Sequence, residues 1–117
     1  MFGRSKDDRF VRPDAPRSAP SGEFTASVEN GPGQNGVKTW IVVIKDRGGR
    51  EVFRDDYRYS TRHGVGVTWL SNRDQLWILS SDVGRAYVER GADGVWTKTK
   101  ITPETRKSVP EEIDRLS

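Results

Sequence analysis

The stretch "VKTWIVVIK", residues 37–45, is the most apolar run in the chain and decides its fold class. It is short and rich in β-branched side chains, which fit the pleated surface of a strand better than a helix. Its apolar residues follow one another without alternation, as is typical of a strand buried on both faces. Turn-forming sequences bound it, with "NGPGQNG" before it and "DRGG" after it. We therefore expect a fully buried β-strand at residues 37–45.

Alternating stretches lie on both sides of this strand. "EFTASVEN" places Phe24, Ala26 and Val28 on one face. Further strand patterns follow at "REVFRDDYRYS", "GVGVTWL", "QLWILS", "GRAYVER" and "GVWTKTKI", with turn residues between most of them. Loops of about two to five residues favour antiparallel neighbours, because a parallel crossover needs about a dozen residues or more. The sequence predicts an all-β, mainly antiparallel meander of about seven strands that forms a small barrel or a sandwich.

The first 22 residues differ from this body. They are rich in proline and serine, show no period, and carry five basic and three acidic side chains. A segment of this kind buries too little apolar surface to offset its ordering entropy. We predict a disordered basic tail at residues 1–22 and a single β-domain at residues 23–117. The tail could be a weak electrostatic tether to an acidic partner, a membrane surface or nucleic acid, but a solvated leader is the simpler interpretation.

The end of the chain, "SVPEEIDRLS", is the one helical pattern. Ser108 and Glu111 have the spacing of a capping box. Val109, Ile113 and Leu116 fall on one side of a helix. We predict a short helix at about residues 108–116 that packs on the sheet, or covers an open barrel end, unless a partner docks it.

Composition narrows the classes of function. The 117 residues fit one domain, and the absence of cysteine excludes disulfides, thiol catalysis and thiolate metal sites. The longest apolar run, residues 40–44, is far too short to span a membrane, so we expect a cytoplasmic protein. The net charge of +3 comes from mixed signs, so nucleic-acid binding is possible but weakly indicated. No cofactor or metal is predicted.

One motif carries a resemblance. In "LSSDVGRAY", residues 79–87, the residues Ser80, Asp82, Gly84 and Tyr87 fit the pattern S-x-D-x-G-x-x-aromatic. This resembles the Asp-box, a hairpin element of sialidases, other β-propellers and some microbial ribonucleases. The element lies away from their catalytic centres, so the resemblance implies a structural turn. In such a turn we expect the Asp82 side chain to accept from backbone N–H groups, Gly84 to adopt a positive φ, and Tyr87 to pack under the turn. A complete propeller is excluded by length, because even four blades need roughly sixteen strands.

Asp55 is the carboxylate of most interest. It falls on one strand face with Phe53, Tyr57 and Tyr59, whereas its neighbour Asp56 points to the other face, so the two aspartates cannot form a dyad. An interior Asp55 would need an arginine or a tyrosine hydroxyl as partner. An edge strand with its end solvated is the interpretation that we favour.

Aromatic and basic residues suggest a binding surface. Trp96 alternates in phase with Lys98 and Lys100, which indicates a solvated face, and Arg54 and Arg58 share a face of another strand. An exposed tryptophan beside cations can stack on a ligand or a partner's side chain. Cross-strand packing of Trp96 beside the lysine stems is the alternative.

The single histidine, His63, lies beside Arg62 in "STRHGVG". The pair could act as a general base or an anion contact, although a surface loop is the simpler interpretation. No set of side chains in the sequence is identified as catalytic.

The leading hypothesis is therefore a non-catalytic interaction module that binds another protein, as an accessory, immunity-type or regulatory subunit. One alternative is a small-ligand-binding or hydrolytic barrel with His63 at its mouth. Another is single-stranded nucleic-acid binding. The oligomeric state stays open. The candidate binding residues are Arg54, Arg58, Arg62, His63, Trp96 and Lys98.

Overall fold

The computed structural model describes residues 9–34 and 36–116, with the side chains of 32–34 left out. Within that part, nine strands form two antiparallel sheets, so the predicted all-β antiparallel fold is confirmed. The first sheet contains β1 (Arg17–Ser18), β2 (Phe24–Gln34), β3 (Val37–Asp46), β4 (Glu51–Arg54) and β5 (Tyr59–Ser60). The second sheet contains β6 (Val65–Trp69), β7 (Gln75–Ser80), β8 (Gly84–Arg90) and β9 (Trp96–Lys100).

The second sheet is a simple meander, whereas the first is built around β3. β2 lies along one edge of β3, and β4 and β5 lie along the other. Arg54 pairs with Val43 and Tyr59 pairs with Trp40, so residues 55–58 occupy the space opposite the two residues between those partners. The stretch predicted as one strand is thus two short strands separated by a bulge. Because the bulge adds two residues, the alternation is preserved, and the predicted face of Phe53, Asp55, Tyr57 and Tyr59 packs toward the core.

The two sheets pack face to face as a sandwich, which decides between the two architectures left open by the sequence. Phe24, Ala26 and Val28 lie on the inner face, as predicted. The ring of Trp96 meets Phe24 at 4.9 Å and Trp69 at 6.2 Å between centroids, both in edge-to-face geometry. These rings from both sheets fill the centre of the core.

β3 is buried on both faces only at its centre, residues 42–44; Lys38 is exposed, and Val37, Trp40, Ile41 and Lys45 are partly exposed, so the predicted burial of the whole strand holds for its centre alone. Val42 and Ile44 face the core, and Val43 on the opposite face is equally buried. The guanidinium of Arg54 donates to Glu29 on β2 at 3.0 Å and to Glu51 at 2.9 Å. Because Arg54 pairs with Val43 and Glu29 lies beyond β3, the arginine side chain crosses the strand and covers Val43.

The outer face of the second sheet is covered by the C-terminal segment. The helix α1 (Glu111–Asp114) has four residues and follows a 3-10 turn at Arg106–Ser108. It is shorter than predicted because Pro110 occupies the N-cap position and Ser108 ends the preceding turn, so no Ser108–Glu111 capping box forms. The described part of the chain has no helix long and apolar enough to cross a membrane. The apolar residues of this layer are Leu70, Trp77, Leu79, Tyr87, Ile101, Val109, Ile113 and Leu116.

Residues 9–22, which we predicted to belong to a disordered tail, are packed on the sandwich. Residues 1–8 lie outside the described residues. From residue 9 the chain packs on the sandwich: Val11 is 1% exposed, and its N–H donates to the carbonyl of Val67 at 2.8 Å along the edge of β6. Ala19 is also buried in the core. The burial of Val11 and Ala19, together with the backbone hydrogen bonds of this segment, offsets the conformational entropy that is lost when the segment becomes ordered. Composition alone did not reveal these contacts.

The N-terminal segment is also fastened to α1. The guanidinium of Arg9 donates to Glu112 at 2.7 Å and to the carbonyl of Trp69 at 2.9 Å. Glu112 in turn accepts hydrogen bonds from the backbone N–H and the hydroxyl of Ser71. This network joins the N-terminal segment and α1 to the turn after β6.

Candidate functional site

Asp55 lies at the centre of a buried polar cluster, which we call the Asp55 cluster, formed with Tyr57, Tyr59 and Lys98. The Asp55 side chain is 1% exposed. Its Oδ1 accepts from the N–H of Tyr57 at 3.1 Å, and its Oδ2 accepts from the Tyr59 hydroxyl at 3.0 Å. The Lys98 ammonium lies 2.9 Å and 3.1 Å from the two carboxylate oxygens. The favoured prediction, a solvated Asp55, is therefore wrong, and the tyrosine-partnered alternative is correct, with a lysine as the cation.

The fold explains how these residues meet. Asp55, at the start of the bulge, and Tyr59, on β5 just after it, are both buried between the sheets. Lys98 lies on β9, the edge strand of the second sheet, on the same face as the buried Trp96. β4 of the first sheet and β9 of the second are in contact at this side of the sandwich, so the ion pair connects the two sheets along this edge.

Aromatic rings form the walls of the Asp55 cluster. The Lys98 Nζ lies 5.6 Å from the Tyr57 ring centroid and 5.4 Å from that of Tyr59, within the range of cation–π attraction. Nζ also donates to the Tyr59 hydroxyl at 3.0 Å. Burial raises the pKa of Tyr59, and the charge of Asp55 and its hydrogen bond to the hydroxyl raise it further. The tyrosine therefore stays protonated and donates to the carboxylate.

An open cleft of about 720 Å³ lies over this cluster, and we call it the edge cleft. Its walls carry three cations and two carboxylates, together with two partly buried aromatic rings. Hydrogen bonds to Glu51 and Glu29 raise the pKa of Arg54, which stays charged. Lys100 and Asp56 are exposed at the rim. The lining residues are Phe53, Arg54, Asp55, Asp56, Tyr57, Lys98 and Lys100.

Trp96 does not lie on the solvated face that its neighbours suggested. It shares a face with Lys98 as predicted, but that face points into the sandwich, and Trp96 is 7% exposed. Its contacts with Phe24 and Trp69 give it the packing role that was the alternative. β9 is an edge strand, and the character of its inner face changes along its length. Trp96 lies in the apolar core, whereas Lys98 lies at the margin of the core and pairs with Asp55.

The other predicted binding residues are divided between two places. Arg58 is exposed in the bulge, next to the edge cleft. Arg62 and His63 are exposed in the loop before β6, where the His63 Nε2 lies 4.0 Å from the Asp82 Oδ1. Asp55 pairs with Lys98 and Tyr59 rather than with Arg62 or His63. Since the described residues form a sandwich with a tryptophan-filled centre, the barrel postulated with His63 at its mouth is not the observed fold.

The turn at residues 80–84 has the geometry of a tight hairpin, but its side-chain contacts differ from the expected ones. The Ser80 Oγ accepts from the N–H groups of Asp82 and Val83, both at 3.2 Å. Gly84 has φ +92°, a conformation that favours glycine. Tyr87 packs on Trp77 in the opposite strand at 5.2 Å, on the outer face of the sheet. Serine therefore fills the role of backbone acceptor that we expected of Asp82.

Sequence reasoning missed part of the edge cleft. The predicted binding residues did not include Phe53, Tyr57 or Lys100, and the pairing of Lys98 with Asp55 was not predicted. The signal was present in the aromatic face that contains Asp55, because an aspartate flanked by rings needs a buried partner. The described residues hold no group of three or more histidine, aspartate or glutamate side chains arranged for a metal ion.

No protein-family model, curated protein or solved structure matches this chain.

Proposed function

We propose that the protein is a non-catalytic interaction module that binds another protein through the edge cleft, as an accessory, immunity-type or regulatory subunit. The observation that carries this proposal is the juxtaposition of aromatic rings and cations in one open concavity. Aromatic and arginine side chains in partly desolvated concave sites carry much of the binding energy at protein interfaces.

Tyr57 is the expected central contact. Its ring packs edge-to-face on Tyr59 at 4.7 Å, and its N–H is fixed on Asp55 at 3.1 Å. A side chain held in this way loses little conformational freedom on binding, so more of its contact energy contributes to affinity. Tyr57 is partly exposed and can still present its ring to a partner.

The charges of the edge cleft favour an acidic partner surface with an apolar residue at its centre. Lys98 and Arg54 are already paired within the protein. Lys100 and Asp56 are exposed lining residues of the edge cleft, and Arg58, two positions after Asp56, is exposed as well. Exposed cations at a rim mainly accelerate association and select a partner of opposite charge.

The test is a comparison of partner affinity among variants of the full chain. The partner captured by the wild-type protein is titrated against Tyr57→Ala and Lys100→Glu, with Arg62→Ala as a control because Arg62 does not line the edge cleft. We expect Tyr57→Ala to weaken binding by about tenfold or more, which corresponds to about 1.4 kcal/mol. Lys100→Glu should mainly slow association, and the control should bind normally. Unchanged affinity of Tyr57→Ala and Lys100→Glu, both still folded by circular dichroism, contradicts the proposal.

A second titration separates this function from nucleic-acid binding. A fluorescent single-stranded oligonucleotide is added to the wild-type chain at two salt concentrations. Binding that falls steeply with salt and is lost in Lys100→Glu would assign the edge cleft to nucleic acid instead.

A further inference from the structure

We propose that Lys98 and Asp55 become joined by an intramolecular isopeptide bond, formed between the Lys98 Nζ and the Asp55 Cγ with release of water. The bond would connect β9 of the second sheet to the bulge of the first. It does not depend on the partner proposed for the edge cleft.

The two reacting groups are already held in contact. Nζ lies 2.9 Å and 3.1 Å from the carboxylate oxygens, and the residues are 43 positions apart in the chain. The Asp55 side chain is 1% exposed and that of Lys98 is 16% exposed. Fixed proximity of this kind gives intramolecular reactions a high effective concentration.

The hydrogen bonds around Asp55 distinguish its two oxygens. Tyr59 donates its hydroxyl hydrogen to Oδ2 at 3.0 Å and accepts from Nζ at 3.0 Å. The tyrosine can therefore pass a proton from the amine to Oδ2, which becomes the leaving oxygen. The N–H of Tyr57 donates to Oδ1 at 3.1 Å. It would stabilise the negative charge that develops on Oδ1 during attack, and Oδ1 becomes the amide carbonyl oxygen.

The step balances without any added reactant. Lys98 starts as an ammonium with three hydrogens, and Asp55 starts as a carboxylate with two oxygens. The Nζ–Cγ bond forms, the Cγ–Oδ2 bond breaks, and the amide keeps one hydrogen and Oδ1. The two remaining hydrogens leave with Oδ2 as water, and nothing is oxidised or reduced.

The surroundings favour the neutral product. Buried charges are costly even when paired, whereas an amide is neutral, its Oδ1 can still accept from the Tyr57 N–H, and its own N–H can donate to the Tyr59 hydroxyl. The rings of Tyr57 and Tyr59 flank Nζ and limit the access of water to the new bond. A covalent link between the sheets would also restrict the unfolded chain, as a disulfide does.

Mass spectrometry of the purified full-length protein tests the bond. We expect an intact mass lower than that of the sequence by one water. Trypsin cannot cut after an acylated lysine, so the digest should contain residues 55–58 joined to residues 91–100. Fragment ions must place the bond on Asp55 rather than on Asp56.

Two variants give the controls. Lys98→Arg keeps the cation but should show the full mass, and Tyr59→Phe, which removes the proton relay, should form the joined peptide at least tenfold more slowly. Folded wild-type protein that retains its full mass after prolonged incubation overturns the proposal and leaves an ordinary ion pair. Loss of water without the joined peptide, as in a cyclic imide at aspartate, overturns it as well. Both decisive readouts are made on the wild-type chain, so they do not depend on the folding of a variant.

Discussion

The carboxylate of Asp55 and the ammonium of Lys98 lie 2.9 Å apart and connect the two sheets at one lateral edge of the sandwich. At the opposite edge, the indole N–H of Trp69 on β6 donates to the carbonyl of Arg17 on β1 at 2.9 Å. The centre of the sandwich is apolar, so these polar contacts define which edge strands face each other. Tightly packed tryptophan and aliphatic side chains hold the sheets together, and the polar pairs fix their alignment.

Replacing Lys98 by methionine should destabilise the fold strongly. The substitution leaves the Asp55 carboxylate buried without its cation, whether the wild-type pair is ionic or covalent. Removing one partner of a buried ion pair costs about 3–5 kcal/mol, and the partial exposure of Lys98 places the expected loss near the lower end. Urea unfolding monitored by tryptophan fluorescence measures it.

The matched control for that experiment is the double variant Lys98→Met with Asp55→Leu. With both charges removed, the double variant should be more stable than Lys98→Met, because no unpaired charge is left buried and apolar groups of similar size replace the pair at little cost. If Lys98→Met alone unfolds at the wild-type urea concentration, Asp55 is solvated and the Asp55 cluster is not formed.

The packing of the N-terminal segment can be tested at Gly66. A Cβ added there would lie 2.8 Å from Cε1 of the Phe10 ring, so Gly66→Ala forces Phe10 to move. We expect a loss of about 1–2 kcal/mol, as for other overpacked sites. Gly64→Ala is the matched control, since its Cβ would meet Ser81 Oγ at 3.6 Å, an ordinary contact.

A double-mutant cycle attributes the effect to Phe10. In a Phe10→Ala background, Gly66→Ala should cost almost nothing, which gives a coupling free energy of about 1 kcal/mol. Additive losses would show that Phe10 does not pack on Gly66 and that the segment from residue 9 is detached from β6.

The strands could be predicted because each carries its own periodicity. The alternation at Phe24, Ala26 and Val28 and the centre of the apolar run of β3 both specified the faces that the structure buries. The bulge at 55–58 could not be predicted, because a two-residue slip depends on pairing with β3 and leaves no signature in the alternation. The order of the N-terminal segment was also hidden, since it depends on contacts with β6 that are distant in sequence.

Only part of the candidate site could be predicted from the sequence, for a related reason. Alternation placed Trp96 and Lys98 together correctly, but a strand pattern does not say which face meets the other sheet. Lysines on β9 suggested solvent, whereas the lysine at 98 reaches an aspartate from another sheet. Pairing between distant charges depends on how the sheets stack, and a single sequence does not encode that relation locally.

Glu112 should make stability depend on pH. Burial tends to raise its pKa, but hydrogen bonds from Arg9 and Ser71 outweigh that effect and lower the pKa below its ordinary value of 4.5. A depressed pKa contributes stability that is present above pH 4.5 and is lost as the pH falls through the folded-state pKa. Glu112→Gln should therefore lose about 1 kcal/mol at neutral pH, and the difference from wild type should shrink in acid.

The measurement is urea unfolding of both proteins across a pH series, with Arg9→Met as a companion variant. Arg9→Met should remove part of the same pH dependence, because it deletes one of the donors to Glu112. A difference between wild type and Glu112→Gln that is constant with pH would mean that the Arg9–Glu112 contact does not form in solution.

The turn at 80–84 gives a prediction that separates its two polar residues. Ser80→Ala removes the acceptor of two backbone N–H groups and should cost about 1 kcal/mol. Asp82→Ala should cost less than about 0.5 kcal/mol, because Asp82 is exposed and 4.0 Å from the similarly exposed His63. Thermal unfolding of the two variants under one condition compares them directly. The reverse order would return the stabilising role to Asp82, as in the hairpin element that the motif resembles, and would contradict the hydrogen bonds assigned to Ser80.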